Sequence, residues 1–157
     1  MQGVAGVARR PIAIVAALVL VVEAVGIVVL NAVMARFVEA QSMSLDGLDP
    51  DAMVTGTWAL GIVSGVLLAL CATVALLAAV RDRRPGRAGR ALLIGCAVIH
   101  GLLGAVTVGL VGWGAFAFMM VVLGLIVLTL VAYGPSARED TPDAPPAPTT
   151  DGEPTPA

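Results

Sequence analysis

Lysine is absent, histidine occurs once, and charged residues make up only 13% of the 157 positions. A water-soluble domain ordinarily carries about 25%, so this composition excludes a soluble globular fold. Cysteine is scarce as well: Cys71 and Cys96 both lie inside apolar runs, which excludes a secreted disulfide framework. The sequence has no glycine-rich phosphate loop, no Ser/His/Asp set and no CxxC pair. An enzyme is therefore not expected, and neither are a catalytic residue, a cofactor or a nucleic-acid partner. Asp46, Asp49 and Asp51 lack the alternating order and the later glutamate of a calcium loop. His100 has no second histidine to help it hold a metal, so no metal site is expected.

What the chain does have is apolar length. Apolar residues make up 59% of it, and its mean hydropathy is +0.98. Four runs, at about residues 11–34, 55–80, 91–110 and 113–133, reach the roughly 17–25 residues that a helix needs to cross a bilayer. The expected fold is an all-α membrane protein, a four-transmembrane-helix bundle over 11–133. A polar lead, 1–10, precedes it. The first run is about twice the core of a signal peptide and no small-x-small site closes it, so a retained first helix is expected. Asp49-Pro50-Asp51 reads as a helix start, with Asp49 as N-cap, Pro50 in the first turn and Asp51 at the positive end of the dipole. Residues 134–157 are rich in Pro, Asp, Glu and Thr and read as a disordered acidic tail.

All nine basic residues are arginines, and they are polarised along the chain. Arg9, Arg10, Arg81, Arg83, Arg84, Arg87 and Arg90 fall at one set of helix ends, against Arg36 alone at the other. By the positive-inside rule, both termini and the Arg81–Arg90 segment are expected in the cytoplasm of a cell whose plasma membrane holds the protein. These five central arginines set topology and suit anionic lipid headgroups. Trp58 and Trp113 should mark one membrane interface and Tyr133 the other.

Small residues recur every fourth position in the second and third runs. Gly61, Gly65 and Ala69 face one way, as do Ala97, Gly101 and Ala105. Because lipid gives apolar helices little drive to associate, close backbone approach through small residues supplies packing energy. Helices two and three, joined by a short loop, are therefore expected to pack on these stripes. Only two strongly ionisable residues lie deep in the runs. Glu23 is about 18 Å and His100 about 14 Å from the arginine-rich end at 1.5 Å per residue. A charge at such depth costs at least about 2.5–3.5 kcal/mol, so a Glu23–His100 hydrogen bond between helices one and three is expected. The pair is either a proton-titratable site or structural glue.

Gln41-Ser-Met-Ser-Leu-Asp-Gly-Leu-Asp-Pro50, Ala97-Val-Ile-His-Gly101 and Gly112-Trp-Gly-Ala-Phe116 resemble stretches of small uncharacterised four-helix integral membrane proteins of actinobacterial, high-GC Gram-positive type. That likeness covers about residues 10–133 and implies a bacterial membrane protein without assigning an activity. Glu23-Ala-Val-Gly26 is similar to the helix-one motif of the small multidrug resistance transporters, which implies a titrating Glu23. The chain lacks the aromatic residues that family places in helices two and three. The sequence thus points to a non-enzymatic accessory or interaction subunit with a membrane-protein partner or a second copy of itself. The alternative is a small proton-coupled transporter using Glu23 and His100.

Overall fold

A computed structural model describes residues 2–41 and 49–134. It consists of four helices: α1 (Gln2–Gln41), α2 (Pro50–Arg81), α3 (Arg87–Leu110) and α4 (Trp113–Ala132). Each is long and apolar enough to cross a membrane, and there is no strand among the described residues. The acidic tail from residue 135 onward, and Asp46 with the rest of 42–48, lie outside the described residues.

Helices α1, α2 and α3 overrun their apolar runs because polar residues are compatible with helix where they reach the water beyond the bilayer. The lead before Pro11 is part of α1, which continues beyond residue 34 to Gln41. Forty residues make a helix of about 60 Å, roughly twice the hydrocarbon thickness. Pro11 lies inside α1, where its missing N–H removes one backbone hydrogen bond. Helix α2 starts on Asp49, whose Oδ1 accepts from the Asp51 N–H at 3.0 Å. It ends at Asp82, a non-glycine residue in the left-handed region (φ 49°). Arg87 and Arg90 belong to the first turn of α3, so the link between α2 and α3 shrinks to 82–86.

The packing partners differ from those read off the sequence. The dominant contact in the fold is α1 against α2, and α2 meets α3 only sparsely. Among the buried positions of α2, Gly61, Gly65, Ala72, Ala75 and Ala79, with half-buried Leu68 in register, step by four and three residues. Those of α1, including Ala13, Ala17, Leu20, Ala24 and Asn31, follow a matching rhythm. Such spacing keeps one seam facing its partner along two paired helices. Its tightest points are Gly61 under Asn31 and Gly65 under Val28 and the Ala24 carbonyl. Gly61 and Gly65 therefore do serve as packing residues, but against α1. Ala69 and Ala105 are exposed, Ala97 is half-buried, and nothing lies within 4 Å of where a Gly101 side chain would start. The buried stripe of α3 is instead Leu93, Cys96, His100 and Gly104, and Gly104 receives Met119 and Met120 of α4. At the centre Leu20, Cys71, Ala72, Leu93, Cys96, Val122 and Ile126 bring all four helices together.

The glycine contacts give a direct test. A Cβ at position 65 would lie 2.5 Å from Val28 Cγ2 and 3.3 Å from the Ala24 carbonyl oxygen, so Gly65→Ala should destabilise the bundle by about 1–3 kcal/mol through overpacking. Gly101→Ala enters open space and gains helix propensity, so it should be neutral or mildly stabilising. Thermal unfolding of the two variants in the same detergent checks both.

Candidate functional site

Glu23 and His100 are placed by the helix faces just described. Ala24 faces α2 across the seam, and a helix turns about 100° per residue, so Glu23 is swung off that seam toward α3. His100 is on the one buried stripe of α3. The two meet with His100 Nε2 3.0 Å from Glu23 Oε2, their side chains only 4% and 12% exposed. On its other side the ring's Nδ1 is 2.8 Å from the backbone carbonyl of Cys96, with Cys96 Sγ at 3.6 Å.

This geometry fixes the proton count of the pair. A carbonyl oxygen only accepts, so Nδ1 carries a hydrogen and donates to Cys96. One further proton is shared between Nε2 and Oε2. It resides either on the carboxyl, donating to a neutral ring, or on the ring, donating to a carboxylate. Both arrangements leave the pair neutral overall, and a low-dielectric interior penalises net charge most heavily.

The pair borders a cavity of about 450 Å³ to which all four helices contribute. Its walls are mainly apolar, with Ile27 and Leu30 of α1, Leu67 of α2, Leu103 of α3 and Phe118 of α4; Ser64 is the other polar side chain on it. The cavity extends from the pair toward the end of the bundle that bears the α3–α4 turn. Cys71 and Cys96 are free, buried core residues. Among the described residues no group of three or more His, Cys, Asp or Glu is placed to hold a metal ion.

A second polar cluster occupies the opposite end. Asp82 Oδ2 accepts from Arg9 at 2.9 Å and lies 3.3 Å from Arg10, tying the start of α1 to the end of α2. The Arg9 guanidinium is also 5.7 Å from the centre of the Tyr133 ring. Tyr133 is buried against Ala13, Ala78 and Ala79 and does not face lipid as an interface aromatic would. Trp113 does, at 74% exposed, with its ring edge-on to Phe116. Trp58 lies at the same end of the bundle and is also exposed. Arg81, Arg83, Arg84, Arg87 and Arg90 all project into the open around the α2–α3 link.

The sequence pattern did not single out the α1 seam, Gly104 or the Asp82 clamp. The alanines of α1 recur at seam spacing and could have revealed the first. Gly104 stands outside the every-fourth-residue stripe, and nothing local in the sequence marks Asp82 as the partner of Arg9. No protein-family model, curated protein or solved structure matches the chain.

The clamp has a defined pH dependence. The hydrogen bond from Arg9 holds the Asp82 carboxyl below its ordinary value of 3.8; partial desolvation opposes this, and the charges of Arg10 and Arg9 add to the lowering. Because the folded-state value is the lower one, its contribution to stability is complete above pH 3.8 and is lost as pH falls through the depressed value. Asp82→Asn should therefore melt below the wild type at neutral pH, and the gap should close on acidification, as read by detergent melts across pH.

Proposed function

We propose that this multi-pass membrane protein is a non-enzymatic accessory or interaction subunit of a bacterial plasma membrane, latched internally by Glu23 and His100. The observation that carries the reading is the closed hydrogen-bond chain from Glu23 through the His100 ring to the Cys96 carbonyl. It joins α1 to α3, whose backbones have little contact of their own, and it engages both ring nitrogens. Both termini and the arginine-rich link are assigned to the cytoplasm, supported by seven arginines at those helix ends against Arg36 at the other. Its partner is a second membrane protein or another copy of the chain, and the resemblance to actinobacterial four-helix membrane proteins fits that setting.

One observation favours a second reading, a small proton-coupled transporter. The apolar cavity of about 450 Å³ abuts the pair, so the shared proton would be the coupled one.

Glu23→Gln separates the two. A glutamine amide can donate N–H to Nε2 while Nδ1 still donates to Cys96, so a latch survives the change. An accessory subunit should keep its melting temperature and co-purifying partner in Glu23→Gln. Glu23→Leu should cost about 1–3 kcal/mol by leaving a buried ring nitrogen unpaired. A transporter should fold equally well as Glu23→Gln and lose proton-driven movement of a lipophilic cation in proteoliposomes. Wild-type transport abolished in that variant would overturn the accessory reading.

A further inference from the structure

Helices α2 and α3 are joined by only five residues, 82–86, yet they are the most sparsely packed of the four main helix pairs. The gap between them at the link end is a cavity of about 360 Å³. Its upper wall is formed by Arg81, Arg83 and Arg84, and its lower wall by Val74, Leu77 and Ala78 of α2. None of the three arginines is ion-paired among the described residues, because the link's only acid, Asp82, faces α1 and takes Arg9 and Arg10. The start of α3 reinforces the positive sign. It opens on Gly86, which also lines the cavity, with no side-chain cap and no acidic residue in its first turn, so backbone N–H groups and the positive end of the helix dipole are left to an anion.

We propose that this wedge binds one anionic phospholipid. The phosphate lies among Arg81, Arg83 and Arg84, and an acyl chain runs down Val74 and Leu77 beside Gly89, which packs on Val74. Guanidiniums match phosphate oxygens with paired hydrogen bonds. The apolar lower wall selects a lipid over a free phosphate. Leu77 is 42% exposed within a membrane-spanning helix, so the wedge opens sideways toward the bilayer. The acidic tail could offer carboxylates to the arginines, but it has few apolar side chains beyond alanine to cover that wall.

The test uses the full chain and two double variants that remove equal charge from the same segment. Arg83→Gln with Arg84→Gln strips the cavity, whereas Arg87→Gln with Arg90→Gln removes arginines that do not line it. Phosphatidylglycerol is titrated against phosphatidylcholine in detergent, with bound lipid counted by native mass spectrometry. The wild type should prefer phosphatidylglycerol by at least about tenfold, from several guanidiniums at about 1 kcal/mol each. The first double variant should lose roughly 25-fold in phosphatidylglycerol affinity, and the second should stay within about threefold of wild type. Equal losses in the two would mean diffuse surface attraction and overturn the site. So would a wild type without preference, a reading that needs no variant to fold. Competition by glycerol 3-phosphate at the lipid's own concentration would overturn the lipid assignment, because the acyl chain would then contribute nothing. Deleting residues 136–157 should leave the affinity unchanged. A tenfold rise would make the tail the occupant and overturn the proposal.

Discussion

The close approach of α1 to α2 is the contact on which the rest of the molecule depends. Lipid tails are as apolar as leucine, so two helices in a bilayer gain little by burying apolar surface against each other. They gain by dispersion contacts, which fall off steeply with distance and therefore need small residues. Gly61 and Gly65 let Asn31, Val28 and Ala24 come within touching distance, and alanines continue the same seam toward Ala13, Ala78 and Ala79. Even the buried polar residue on it is self-sufficient, since Asn31 donates back to the Ile27 carbonyl at 2.8 Å. At the far end Asp82 holds Arg9 and Arg10, so a polar clamp closes the seam where it reaches water.

With that seam fixed, the position of the intramembrane polar pair follows. Ala24 must face Gly65, which leaves Glu23 one helical step around, on the side where α3 stands. A lone carboxyl there would face hydrocarbon at a cost of several kcal/mol or would have to find a partner in the protein. His100 supplies one, and its own second nitrogen is closed by the helix that carries it. The pair thus fastens α3 to α1, whose backbones have little contact of their own, and the space beside it is the cavity of about 450 Å³.

Much of the fold is legible in the chain because hydropathy reports membrane crossing directly. Glu23 and His100 are legible for the same reason, since ionisable groups stand out in runs that tolerate almost none. Helix partnership is not legible in this way. In a soluble bundle the buried face differs from the exposed face in polarity, but here lipid-facing positions such as Val22, Leu60 and Leu102 are as apolar as the core. Periodicity then carries no inside–outside signal, and small residues become the only marker of a contact. Both α2 and α3 carry such residues at four-residue spacing, so chain proximity suggested that they pair. Hydropathy also misplaces helix ends, because Arg87 and Arg90 lower the local average without interrupting the helix.

A helix has only one face that can make the closest approach, and in α2 that face is taken by α1. The exposed positions of Ala69 and Ala105 and the open surroundings of Gly101 follow from this, since the stripe on α3 meets no equally smooth surface. Helix α3 is held by Gly104 against Met119 and Met120, by the core around Leu93 and Cys96, and by His100. A five-residue link can tie helix ends together without forcing the helices to lie flush. Near the link Gly89 packs on Val74, and Arg81, Arg83 and Arg84 are left around a gap whose floor is apolar. The densest charge in the chain thus borders the most sparsely packed of the four main helix pairs, and that sparse packing follows from α2 having used its small-residue face on α1.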